Sequence, residues 1–143
     1  ITIDHTLLRQ YLLPGLLRLL SSNRHHDLPQ SVYEIGTVVR DHQNSNRLAF
    51  LTAERSGGFA AVRGRIQAFL RDIGAEEYQI LPLPDNEGPW LAGRAAKVVV
   101  SGNHVGCFGE IDPHIAELFD LKVPLNGAEF SVEEIAKSIP DPV

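Results

Sequence analysis

Six of the nine positions from Leu12 to Leu20 are leucine. At 100° per residue, Leu12, Leu13, Leu16, Leu17, Leu19 and Leu20 fall in an arc of ~160° on a helix, wider than the apolar stripe of an ordinary surface helix. Arg18, Ser21 and Ser22 lie on the other side. Each fully buried leucine contributes ~1.5–3 kcal/mol, and six exposed ones would be an aggregation liability. The chain must therefore fold so that this helix is covered. A stripe this wide suits two neighbours, its own sheet and a second surface. Pro14 fits the first helical turn, where its missing N–H costs nothing. The helix is expected to end near Asn23–His26, before Pro29. Ahead of it, Thr2–Leu8 reads as extended.

The rest of the chain supplies the sheet. Ser31–Arg40 reads as a strand with Tyr33, Ile35, Thr37 and Val39 on one face, and Gly36 marks a bulge or close approach. A polar turn, Asp41–Asn46, leads to a second strand, Arg47–Glu54, so the two make an antiparallel hairpin. After Ser56-Gly57-Gly58, apolar residues recur at helical spacing over Phe59–Ile73, with Gly74 as the left-handed residue that ends the helix. Tyr78–Leu83 reads as a short strand, and Pro82–Gly93 as a loop carrying the only tryptophan, Trp90. Ala95–Ser101 and His104–Glu110 read as strands joined at Gly102-Asn103. Asp112-Pro113 is a cap and first-turn pair for a short helix to Phe119. A last strand fits Ala128–Val132, and the tail Pro140–Val143 is expected to fray. Hairpins without regular strand–helix alternation predict an α+β domain over 1–139, an antiparallel sheet with helices packed on it.

At 143 residues and 43% hydrophobic content the chain is long and apolar enough for one core. Apolar runs of a few residues are far short of the ~20 that span a bilayer, so no membrane partner is expected. One cysteine, Cys107, excludes an internal disulfide and four-cysteine zinc sites. The chain has no methionine, and the expectation is a piece of a longer polypeptide. Net charge is uneven, with +3 on residues 1–75 and −8 on residues 76–143. Binding nucleic acid mainly by charge calls for an overall basic domain, which this is not. Arginine outnumbers lysine ten to three. Guanidinium suits ion pairs at interfaces, which favours a partner-facing surface.

Candidate chemistry is sparse. His25 and His26 are adjacent and point ~100° apart on a helix, so they do not chelate one ion; a solvated helix end is expected. Cys107 sits in an apolar setting that raises a thiol pKa, and strand alternation places His104 on the opposite face. Gly102, Gly106 and Gly109 match no phosphate loop and serve turns and bulges. Glu110 and Asp112 offer a carboxylate pair, but Asp112 is better placed as a cap. Arg63, Arg65 and Arg71 occupy the polar side of the second helix. They form either a solvated face or a tRNA or protein contact. No catalytic, cofactor-binding or metal residue is assigned from these patterns.

Five segments carry a family resemblance. They are Leu8-Arg9 with Leu12-Leu13-Pro14-Gly15-Leu16-Leu17, then Tyr33-Glu34-Ile35-Gly36-Thr37-Val38-Val39, then Val62 through Leu70. Gly93-Arg94-Ala95-Ala96-Lys97-Val98 with Val105 through Pro113 follows, and Phe119-Asp120-Leu121-Lys122 running to Ala128-Glu129-Phe130 is the last. In this order they are similar to the catalytic-like domain near the C-terminus of the phenylalanyl-tRNA synthetase beta chain. The stretch Ser22–His26 with Leu28-Pro29-Gln30 looks most like the archaeal and eukaryotic branch. Gln10-Tyr11 stands where the family usually has Thr-Ser, and Ala92 where proline is common.

The resemblance implies a class II synthetase fold, cytoplasmic, without chemistry of its own. The implied partner is the alpha chain, which binds ATP with magnesium and phenylalanine; tRNA(Phe) belongs to the parent complex. The leucine stripe, Leu12, Leu13, Leu16, Leu17, Leu19 and Leu20, is then the expected alpha-chain interface, and a homodimer through it is the other state of an isolated fragment. A working class II site needs arginines that neutralise phosphate charge. Arg40 stands near the first such position, but Arg47–Glu54 lacks the partner pattern and no arginine follows Arg94. Arg40 thus reads as a surface residue or vestige. A free-standing adenylate-binding paralogue and a tRNA-contacting module are the alternatives.

Overall fold

A computed structural model of the chain describes residues 9–85 and 87–139. The expected extended segment Thr2–Leu8 and the tail Pro140–Val143 lie outside the described residues. Helix α1 (Leu13–Ser22) is followed by β1 (Gln30–Arg40), β2 (Gln43–Ala53), α2 (Phe59–Asp72), β3 (Tyr78–Pro82), β4 (Trp90–Val100), β5 (Asn103–Ile111), α3 (Pro113–Leu118), β6 (Leu125–Ser131) and α4 (Val132–Ser138). The strands form one sheet in the order β1-β2-β6-β5-β4-β3, every neighbour antiparallel.

The sheet separates two cores. On one face α1 and α3 pack over Val38, Ala49, Leu51, Trp90 and Ile111. On the other, α2 buries Val62, Ile66 and Leu70 against Val98, Phe108 and Phe130, with Ile135 of α4 alongside. Phe59 stacks on Phe108 and Phe69 tilts over Phe130, both at 5.4 Å between ring centres. Gly106 sits where a Cβ would collide with the Phe130 ring and the Glu129 backbone. Its role is close packing under that ring rather than turn geometry.

The differences from the sequence reading have local causes. The first hairpin turns on Asp41 and His42 alone, at φ 51° and 64°. Both residues take the left-handed conformation, so Gln43–Asn46 extends as strand instead of looping. Thr37 Oγ1 donates to Asn46 Oδ1 across that pair at 2.9 Å. The second hairpin turns on Ser101-Gly102, one residue earlier than expected, again with both φ positive. β4 begins at Trp90, because a register break between Trp90 and Ala95 lets the Pro/Gly-rich segment re-enter the sheet. Helix α4 has no counterpart in the periodicity reading. Its signal was Ser131 three residues before Glu134, whose N–H donates to the serine hydroxyl at 3.2 Å.

Candidate functional site

The leucine stripe is turned inward. Leu12, Leu13, Leu16, Leu17 and Leu20 are 1–3% exposed and belong to the chain's own core. Only Leu19 reaches solvent, at 44%. The wide arc is used by one sheet face plus α3 and the segment after it, where Ala116, Leu121 and Leu125 meet it. The expectation of a second, external neighbour for the whole stripe is therefore corrected. Five of the six leucines have no surface to offer, because the chain folds back over both sides of the helix.

An apolar surface exists elsewhere. Tyr33, Ile35 and Val39 share a face of the edge strand β1, as their spacing predicts, and are 76%, 69% and 39% exposed. The half-buried Leu48 and Phe50 lie opposite Ile35 and Tyr33 on β2. This face is the one that carries α2 and α4, but those helices sit over the middle of the sheet and leave β1 bare. Arg9 covers part of the outer edge. Its carbonyl accepts from Val39 N–H, its guanidinium donates to Thr37 O, and it pairs with Glu34 at 3.1 Å.

Of the second-helix arginines, Arg65 donates to Asn126 Oδ1 at 2.9 Å and to the Glu54 carboxylate at 2.8 Å. Asn126 is buried and also donates to Glu54. Burial works to raise the Glu54 pKa, but the Asn126 and Arg65 hydrogen bonds and the Arg65 charge outweigh it and hold the carboxyl below its ordinary value. Arg65 is thus a structural link between α2 and the sheet. Arg63 and Arg71 are exposed. Glu110 pairs with Arg94 and Asp112 caps α3 by accepting from His114 N–H, so the two carboxylates form no acid–base pair. His25 and His26 are exposed at the helix end, and among the described residues no cluster of three potential ligands could hold a metal.

The other face holds a cleft of about 780 Å³ beside the start of α1, lined by Tyr11, Arg40, Arg47, Trp90, Cys107 and Glu129 among others. Glu129 and Arg47 are 3% and 7% exposed. The Glu129 carboxylate accepts from Arg47 Nε and from the backbone N–H groups of Leu12 and Leu13 at 2.9 Å. A helix start leaves such N–H groups without partners, and its dipole favours a negative charge there. β6 thereby caps α1, which has no side-chain cap of its own. The Arg40 and Arg47 guanidinium groups lie 4.9 and 5.6 Å from the Tyr11 ring centre.

Cys107 and His104 meet in this cleft, 3.5 Å apart, against the expected opposite faces. The register passes from Gly106–Val98 to His104–Val99, so Val105 is an extra residue in β5. This bulge resets the alternation and turns both side chains to one face. Burial pushes the Cys107 thiol up to about 11, which keeps it protonated near neutral pH. Arg47 and Glu129 were not singled out from the sequence. A lone arginine in one strand and a lone glutamate 82 residues later carry no joint pattern.

Compared with known proteins, residues 1–132 match the family described as phenylalanyl tRNA synthetase beta chain CLM domain. The chain is similar to the phenylalanine–tRNA ligase beta subunit of Archaeoglobus fulgidus, 37% identical over 132 residues that cover 92% of this chain and 24% of the relative. The beta subunit of Methanothrix thermoacetophila is 35% identical over 130 residues, covering 90% and 23%. That of Methanopyrus kandleri is 32% identical over 136 residues, again covering 90% and 23%. The chain spans about a quarter of the length of these curated relatives.

Proposed function

The chain belongs to the phenylalanyl-tRNA synthetase beta chain CLM-domain family, and on that premise we propose that it is the non-catalytic, class II-like part of a beta chain that scaffolds a catalytic alpha chain. The six-stranded antiparallel sheet with helices on both faces supports the class II reading. ATP, magnesium and phenylalanine are then handled by the alpha chain, in the cytoplasm, and tRNA(Phe) by the assembled enzyme. The observation that carries the scaffold reading is the bare apolar strip Tyr33, Ile35 and Val39 on the edge strand. A strand edge with large exposed side chains is a liability unless something covers it. The alpha-chain contact accordingly moves from the leucine stripe to this strip, with Leu19 the one member of the stripe still available.

The test has two arms. Alone, the chain shows no phenylalanine-dependent pyrophosphate–ATP exchange; robust exchange would sink the non-catalytic reading. The double variant Tyr33→Asp, Ile35→Asp loses co-purification with the cognate alpha chain while its circular dichroism stays unchanged. Retained co-purification would remove the strip from the interface. A second reading, a tRNA contact, is favoured only by the exposure of Arg63 and Arg71. Salt-dependent tRNA binding that Arg63→Ala and Arg71→Ala weaken together would support it. An ATP titration checks the adenylate-binding alternative, and no saturable binding is expected.

A further inference from the structure

The sheet has two edges of unequal length. β1 runs for 11 residues at one edge, against 5 for β3 at the other. On β1 the Val39 N–H and the Thr37 carbonyl point away from β2, because Arg9 meets both. Such groups alternate along an antiparallel strand, so the N–H and carbonyl groups of Ser31, Tyr33 and Ile35 point outward too. Among the described residues nothing pairs with them. An open edge invites another strand unless charge, proline or a cover blunts it. Here Arg9 blocks the Thr37–Val39 end, and Pro29 has no N–H to offer at the other. The window between them fits a strand of about five residues with outward groups at every second position. β1 itself has that form.

We propose that the chain on its own pairs with a second copy of itself, β1 against β1 about a two-fold axis at Tyr33, which joins two six-stranded sheets into one. Tyr33 then faces Tyr33, and Ser31 faces Ile35 on either side of the axis, for about six backbone hydrogen bonds. Charge is compatible with this register. Glu34 is the one ionised side chain of the window, and Arg9 of its own chain neutralises it at 3.1 Å. It comes to lie opposite the other copy's Val32, so no like charges face each other. Tyr33 and Ile35, 76% and 69% exposed, lose water in the process. The homodimer expected through the leucine stripe is thereby moved to the edge strand, since the stripe is buried. This pairing does not rest on the alpha-chain reading and is tested with no alpha chain present.

Sedimentation equilibrium of the 143-residue chain measures the dimer, and amide hydrogen exchange locates it. A reversible monomer–dimer equilibrium is expected. Exchange at Tyr33 and Ile35 should slow as the dimer forms, while Glu34, whose N–H faces β2, stays slow throughout. A chain that remains monomeric up to about 1 mM would overturn the pairing. So would a dimer whose Tyr33 and Ile35 amides exchange fast, since its contact lies elsewhere. Slow exchange at both positions in the monomer would assign the edge to a segment of the same chain, which overturns it as well. Ile35→Pro removes an N–H that points away from β2 and so spares the β1–β2 ladder. Ile35→Ala keeps the N–H and trims the side chain. The proline variant is expected to raise the dissociation constant roughly tenfold more than the alanine variant. Equal effects would leave side-chain packing alone and remove the strand pairing. Should the proline variant unfold, exchange in the unaltered chain still decides.

Discussion

Each face of the sheet carries one arginine–glutamate pair that ties a helix to the strands, and the two differ in surroundings. Arg47–Glu129 is buried on both sides, and its carboxylate also receives the first N–H groups of α1. Arg65–Glu54 lies at the margin of α2, with side chains 41% and 15% exposed and a buried amide, Asn126, as third member. In the first pair the helix start depends on the charge. In the second the helix is already held by Val62, Ile66 and Leu70, and the charge only aligns it. The lesson is that the same residue types contribute very different amounts according to what else they satisfy.

Breaking the buried pair should have the largest effect. Arg47→Ala leaves Glu129 buried without its cation, and the expected loss is about 3–5 kcal/mol, read by urea denaturation. A loss below about 1 kcal/mol would mean that water reaches the carboxylate. Leu17→Ala, under the same helix, should cost about 2–5 kcal/mol through the cavity it leaves. A much smaller loss would mean that α1 packs loosely and could still serve a second surface. Arg65→Ala on the other face should cost about 1 kcal/mol or less, because half-exposed ion pairs are screened by water. A loss as large as that of Arg47→Ala would erase the contrast between the faces.

The smallest effect is a pH dependence. The Glu54 pKa is lowered in the folded state from an ordinary value of 4.5. Its contribution is therefore fully present above the unfolded value and fades as pH falls through the lowered one. Glu133 is exposed, and its pKa is also lowered: slight desolvation works upward, but backbone and side-chain hydrogen bonds from Asn46 and one from Ser45 outweigh it, so it contributes in the same direction. Acid titration of stability in an Arg65→Ala, Glu133→Gln background should show a weaker loss of stability in that window than the unaltered chain. An identical profile would assign the acid sensitivity to other carboxylates.

Much of the architecture was legible because it is local. The periodicity of Phe59–Ile73, the hairpin around Ser101–Asn103 and the Asp112 cap all depend on residues within a turn or two of one another. What was not legible depends on register. The direction of the leucine stripe is fixed by which strands end beneath it and by the segment after α3 that closes over it. The Cys107–His104 contact follows from one extra residue in β5 beside Gly106; the glycines pointed to bulges, but not to which residue would be extra or which side chains it would bring to one face. The motif segments identified the family, since their order along the chain is itself a sequence property. They did not locate the cleft, because its charged members stand far apart in sequence.

The sequence by itself determined that this chain is an α+β domain with an antiparallel sheet, one strongly apolar helix, and the family signature of a synthetase beta chain. Those properties rest on spacing and composition, which the chain carries whether folded or not. Only the tertiary structure decided which apolar residues are spent inside and which remain outside. Burial is a property of neighbours: five of the six leucines find theirs within the chain, while Leu19, Tyr33 and Ile35 do not, the last two because they sit on an edge strand beyond the reach of any described helix. The same physics placed Arg47 against Glu129. A buried charge must find its partner in space, and spatial proximity over 82 residues is settled by strand pairing.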